Sequence, residues 1–334
     1  MKPLSRSGTT VYKEVDVSSL GELRSLALNA RRSKNKVKER APDNLAAYLF
    51  LLPWLIGIAG FTIGPMLASL YLSLTDYNLL QSPLENPPDF IGFENYTKML
   101  GDPAFWNSFR VTVTYVIISV PLQLILALAL ALLLDRGMRG LPFYRSVFYL
   151  PSLLGGSVAV AILWRQVFGK EGLVNGFLTP FGFDPPGWIG HPDFALWTII
   201  ILHIWTFGSP MVIFLAGLRQ IPEMYNEAAA MDGASRARRF FSITLPLLTP
   251  IIFFNLVLQV IFAFQTFTQA YVVSGGTGGP SDSTMFFTLF LYRTGFLEYD
   301  MGYASAMAWF LLIVIAAFTA FNFWLSKFWV FYDD

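Results

Sequence analysis

Apolar residues along this chain gather into six long runs separated by polar connections, at approximately 48–72, 111–134, 147–164, 195–217, 247–272 and 303–326. A helix needs about 20 residues to cross the hydrocarbon core of a bilayer, and the runs are of that order. The pattern therefore predicts an all-α, polytopic membrane protein with six transmembrane helices. Pro53 and Pro65 interrupt the first run, which is expected to be a kinked helix or a helix with a shallow entry turn. The connection that follows, 73–107, is rich in Pro, Asp and Asn.

Composition agrees with this class. Hydrophobic residues make up 54% of the chain, aromatics 16% and charged residues 13%, against roughly 25% charged in a soluble domain. None of the six runs contains Asp, Glu, Lys or Arg. Ion-coupled carriers place an ionisable group at membrane depth despite its cost, and here only His203 is on offer. A lone histidine in an apolar span is more often a neutral packing residue than a proton carrier. An intramembrane hydrolase would need a nucleophile, a base or metal ligands, so no catalytic and no metal-binding residue is assigned. The chain has no cysteine, which excludes disulfides and thiolate metal sites. The energy for any transport must come from another polypeptide.

Orientation follows from the basic residues. With the amino terminus inside, segments 1–47, 135–146, 218–246 and 327–334 carry 18 of the 23 Lys and Arg. The positive-inside rule then places both termini in the cytoplasm of a cell (inner or plasma) membrane protein. Residues 1–44 form a separate basic tail, and 45–334 the transmembrane domain. In the tail, Leu20, Leu23, Ala27 and Ala30 precede RRSKNKVKER (31–40). The segment reads either as an interfacial helix held by anionic membrane lipid or as a disordered basic tail that fixes topology.

The inner connection 218–246 contains EAAAMDGASRARRFFSITLP (227–246). Pro222 suits a first helical turn, Glu223 and Glu227 to Ala230 favour a short helix, and Gly233 can end it in a left-handed cap. At set spacing Glu227, Ala228, Ala229, Gly233, Ile243, Leu245 and Pro246 match the pattern EAA, three residues, Gly, nine residues, Ile, one residue, Leu-Pro. This resembles the coupling loop of the membrane subunits of binding-protein-dependent ABC importers. Those seven positions and Asp232 are accordingly expected to meet an ATPase.

Other segments extend the likeness. SLYLSLTDYN (69–78), FIGFENYTKML (90–100), VPLQLILALALALLLDR (120–136), FYRSVFYLPSLL (143–154) and LYRTGF with GYASA (291–306) are similar to sugar permeases of the maltose and glycerol-phosphate type. The resemblance covers about 45–327 and implies a type I ABC importer (MetI-like) permease fold. It also implies a second permease subunit, two ATPase subunits and an extracytoplasmic sugar-binding protein as partners, with no nucleic acid. ATP and Mg belong to the ATPases, and no cofactor is expected on this chain. No GxxxxGK[ST] loop occurs, and Gly169-Lys170 is followed by Glu171.

A polyol at membrane depth needs its hydroxyls satisfied. The fifth run is unusually polar, with Asn255, Gln259, Gln265, Thr266, Thr268 and Gln269 interleaved with Phe264, Phe267 and Tyr271. Four residues apart on a helix, Gln265 and Gln269 would share a face, and the rings could pack on the C–H face of a pyranose. In the maltose-type family the matching stretch, FQTFTQ (264–269), lines the substrate cavity, as does the place of HIWTFGSP (203–210). The resemblance therefore implies substrate contact for Phe264, Gln265, Phe267, Thr268 and Gln269, and for His203, Thr206 and Phe207. Interhelical bonding within the bundle is the other reading of these polar groups. The function expected is ATP-driven import of a sugar, preferably a di- or oligosaccharide, by alternating access. An importer for another solute such as glycerol phosphate, an ion-coupled sugar carrier and a non-transporting scaffold stay as alternatives.

Overall fold

The computed structural model describes residues 44–82, 86–137 and 140–331. The tail at 1–43, with its possible interfacial helix, lies outside the described residues. The chain divides into two compact units after Pro65. In the first, α1 (Asn44–Ile58) carries Pro53 internally and runs into a π-helical turn, Ala59–Ile63. There the Gly64 N–H reaches back five residues to the Ala59 carbonyl. Pro65 has no N–H to give and its ring crowds the preceding turn, so the widened turn takes the place of a sharp kink. Helix α2 (Gly64–Leu72) follows.

In the second unit, α3 (Glu94–Gly101) starts inside the FIGFENYTKML segment and ends one residue beyond it. Buried Asn95 donates through Nδ2 to the carbonyls of Ser73 and Thr75 at 3.0 and 2.8 Å. Lys98 pairs with Asp300 at 2.7 Å. These bonds tie the end of α2 to the start of the last helix. Asp102 caps α4 (Pro103–Asp135) by accepting from the Ala104 N–H, and Pro103 fills the first turn. At 33 residues, α4 is about 50 Å long and overshoots a hydrocarbon core of about 30 Å at its ends. The core is built around it, where Ser108, Ser119, Ala127 and Ala131 are buried and let neighbouring helices approach closely.

The third apolar run is not one straight span. It forms α5 (Leu141–Leu154) and α6 (Val158–Val167), which meet at 95°. Gly155 and Gly156 interrupt the helix, and Ser157 restarts it by accepting from the Val160 N–H. After α7 (Leu173–Leu178), the fourth run breaks into α8 (Pro192–Trp205) and α9 (Gly208–Leu218). Next come α10 (Glu223–Met231), α11 (Arg236–Arg239), a π-helical turn at Phe240–Thr244 and α12 (Leu245–Phe264). The fifth run ends there, and its remainder forms a separate helix, α13 (Thr268–Ser274). Helix α14 (Phe287–Tyr292) is too short to be seen as an apolar run, and Phe286 and Phe287 are fully buried. Helix α15 (Met301–Ser326) is the sixth run, unbroken. Among the described residues five helices are long and apolar enough to cross a membrane, and α5 with α6 makes the sixth when the bent pair counts as one.

Gly208 fixes the crossing of α5 and α9. A Cβ there would sit 2.7 Å from the Tyr149 Cα and closer still to the Phe148 carbonyl oxygen. Main-chain atoms of a helix cannot swing aside. Gly208→Val is therefore expected to destabilise the protein by about 1–3 kcal/mol or more, measured as a lower Tm in detergent. An unchanged Tm would contradict this packing.

Candidate functional site: a cavity at three helix breaks

The interruptions at 155–157, 206–207 and 265–267 converge on one cavity of about 490 Å³, within the usual size range for small-molecule sites. Broken helices free backbone carbonyls that lipid cannot satisfy, and here polar side chains of neighbouring helices take them up. The two Nε2 hydrogens of Gln123 on α4 serve three acceptors, one of them shared: the His203 and Thr206 carbonyls, both at 3.1 Å, and Thr206 Oγ1 at 3.0 Å. Ser152 Oγ donates to the Thr206 carbonyl at 2.8 Å and accepts from the Ser209 N–H at 2.8 Å. Gln269 Nε2 donates to the Gly155 carbonyl at 3.1 Å. Thr288 Oγ1 donates to the Thr266 carbonyl at 2.5 Å.

With that framework satisfied, two buried polar atoms of cavity-lining residues have no partner among the described residues: Gln123 Oε1 and His203 Nε2. Three acceptors face Gln123 Nε2, so the amide cannot be turned over, and Oε1 is left as a free acceptor. Gln259, Gln265, Thr268 and Ser209 add further donors and acceptors to the lining. Phe267 supplies an aromatic wall, backed by Tyr292 with ring centroids 5.2 Å apart. Among the described residues no Asp, Glu, Lys or Arg lines the cavity. Among the described residues no group of three or more His, Cys, Asp or Glu is placed to hold a metal ion.

The structure brings together His203, Thr206, Gln265, Phe267, Thr268 and Gln269 at this cavity. Two expected positions lie elsewhere. Phe207 packs against Phe148, with centroids 6.2 Å apart, and Phe264 is buried against Phe318 at 6.0 Å. Gln265 and Gln269 do not share the face of one helix, because the chain breaks between them; the turn at 265–267 is what sets both on the cavity. Sequence reasoning missed Tyr115, Gln123, Ser152 and Ser209, each a single polar residue inside an apolar or small-residue context.

At the far end of α12, α10 ends as the sequence predicted. Gly233 takes φ +78°, with its N–H on the Ala230 carbonyl at 3.0 Å and the Ala234 N–H on that of Ala229 at 2.9 Å. Glu227, Ala228 and Asp232 are exposed and Ala229 is half-buried. Ile243 and Pro246 line an apolar groove with Ala228 and Tyr225. Arg239 Nη1 donates to the Asn226 carbonyl at 3.2 Å, tying α11 to α10. The sequence suggested a loop followed by a span. Instead, Arg236–Phe264 forms one apolar helix of 29 residues, so Leu245 and Pro246 already belong to the membrane helix.

A helical bundle whose broken spans enclose an uncharged polar cavity, with an exposed helix on the shaft of one of those spans, has the architecture of a solute permease. The chain belongs to the family described as binding-protein-dependent transport system inner membrane component, which residues 99–329 match. It is 49% identical over 308 residues to the probable ABC transporter permease protein YesP of Bacillus subtilis, covering 92% of this chain and 98% of that protein. It is 37% identical to the sulfoquinovosyl glycerol transport system permease protein SmoG of Agrobacterium fabrum, covering 80% of this chain and 85% of the relative. In a crystal structure of a bacterial alginate ABC transporter with its alginate pentasaccharide-bound periplasmic protein, one chain shares the fold. The TM-score is 0.71 at 20% identity, over 87% of this chain and 97% of that one.

Proposed function

We propose that this chain is the permease subunit of an ATP-driven carbohydrate importer and passes a neutral di- or oligosaccharide by alternating access. The observation that carries this reading is the cavity at the three breaks. Its lining is amide, hydroxyl, imidazole and aromatic without a charged side chain, which suits sugar hydroxyls and the C–H faces of a pyranose. The relatives named for trehalose/maltose and lactose transport, 34% and 31% identical to this chain, support an uncharged disaccharide.

The partners of this reading are a second permease subunit that completes the cavity, two ATPases that hold ATP and Mg, and an extracytoplasmic binding protein. Both termini and α10 lie in the cytoplasm, following the basic residues. Glu227, Ala228, Ala229, Asp232 and Gly233 meet the ATPase, and Ile243 and Pro246 form the groove beneath. Movement of α10 is carried by the Arg239–Asn226 bond into α11 and along Arg236–Phe264. That rod is about 43 Å long and ends at the cavity wall.

Purification of the chain in mild detergent is expected to recover an ATPase, a second permease and a binding protein whose sugar can be identified. Recovery of the chain alone, under conditions that preserve a known ABC complex, would contradict the assembly. With the sugar known, Gln265→Ala/Gln269→Ala should weaken uptake affinity roughly tenfold, at about 0.5–1.5 kcal/mol per hydrogen bond. Unchanged affinity and preference would remove both residues from the substrate path.

A further inference from the structure

A second cavity, of about 750 Å³, lies between the end of α4, α10 and α11, well away in sequence from the helix breaks. Arg136, Arg236 and Arg239 line it, with Asn226, Thr244, Leu132, Phe240 and Phe241. Among the described residues no carboxylate lines it. Asp135, the neighbour of Arg136, faces Arg219 at 3.7 Å. Arg239 spends one Nη1 hydrogen on the Asn226 carbonyl, while its Nε is buried with no partner among the described residues. A buried guanidinium edge without an acceptor is costly. The α4 C-terminus offers only about half a negative charge to three guanidinium groups.

The other half of the lining is apolar. Phe240 and Phe241 pack edge to face at 5.0 Å, and Phe241 is 65% exposed, beside Leu132 on the shaft of α4. Leu132 lies in the last turn of α4, a helix longer than a hydrocarbon core is thick, and Phe241 lines the same cavity. Guanidinium forks match phosphate oxygens in pairs, and basic pockets between helix ends beside apolar surface suit lipid headgroups. We propose that this cavity is a binding site for the phosphate of an anionic phospholipid, held by Arg136, Arg236 and Arg239 with an acyl chain against Phe241. A lipid held there bridges α4 to α10 and α11, so membrane charge would act on the coupling helices. The site does not depend on which solute the protein carries.

The test is native mass spectrometry of the intact complex, purified through a tag on this chain and mixed with equal phosphatidylglycerol and phosphatidylcholine. Phosphatidylglycerol should be retained selectively. Arg136→Gln/Arg239→Gln should lose it roughly twenty-five-fold, at about fivefold per arginine, and Lys170→Gln should not change it. Should the double variant fail to assemble, exposed Arg236→Gln should still show the fivefold loss. Equal retention by wild type and the arginine variants would overturn the proposal. So would loss of lipid preference together with competition by inorganic phosphate, which would assign the pocket to a soluble anion. Lipid binding that vanishes whenever the ATPase is bound would assign it to the ATPase interface instead and also overturn it.

Discussion

Gly233→Val is expected to cut ATP-driven uptake by about fivefold to thirtyfold while leaving the transmembrane bundle folded. Position 233 sits at φ +78° with nothing near its missing Cβ, so the substitution meets open space and the cost is conformational. Left-handed backbone costs an L residue roughly 1–2 kcal/mol, and more with a branched Cβ. That cost is paid where α10 turns into α11, and relief by unwinding the cap would shift Glu227 and Ala228 relative to the groove at Ile243 and Pro246. The ATPase then meets a displaced surface, and its recovery with the tagged chain should fall in step with uptake. Gly233→Asn is the control, because asparagine tolerates this region, and it should restore most of the uptake. If valine and asparagine behaved alike, or valine behaved as glycine, the left-handed cap would have no part in coupling.

Helix α10 and its cap were legible because the unit is exposed and local. Glu227, Ala228 and Gly233 form a helix and its cap within eleven residues, and short-range propensity decides such a unit. The six apolar runs were legible for a related reason: hydropathy reports which residues face lipid or core, whatever their direction. Direction is what it does not report. The run 147–164 gives no sign that Gly155-Gly156-Ser157 turns the chain by 95°, since two glycines are tolerated in many membrane helices.

The breaks at 206–207 and 265–267 were equally silent. They exist because side chains from other helices pair the freed carbonyls, Gln123 of α4 and Ser152 of α5 at the first break and Thr288 of α14 at the second, and that is a tertiary event. This explains which site residues were anticipated. Gln265 and Gln269 stood out as polar residues within an apolar run, whereas Phe207 and Phe264 were carried along by adjacency and rotate away at the breaks. Gln123 was the missed signal: one amide in VPLQLILALALALLLDR, without a charge nearby, that only a hydrogen-bonding partner on another helix could justify.

Gln123→Leu should therefore have the largest effect of any single cavity substitution. The side chain is 1% exposed, and leucine nearly fills its volume, so packing alone predicts little change. The polar ledger predicts much. Thr206 Oγ1 still donates to the His203 carbonyl at 2.7 Å, and Ser152 to the Thr206 carbonyl at 2.8 Å. The second lone pairs of both carbonyls and the hydroxyl oxygen of Thr206 lose their donor in a water-poor setting. A loss of about 1–3 kcal/mol is expected from such unpaired groups, read as a lower Tm of the purified complex. The free Oε1 is lost with it, so uptake affinity should fall beyond what reduced protein levels explain.

Gln123→Glu separates the two roles. A protonated carboxyl can keep one donor toward the break and one acceptor toward the cavity, whereas an ionised one would face the His203 and Thr206 carbonyls and repel them. Transport by this variant should therefore recover as pH falls, while Gln123→Leu stays impaired at every pH. A Gln123→Leu complex with unaltered Tm and uptake would show that the fourth-span break holds itself and that the amide is incidental.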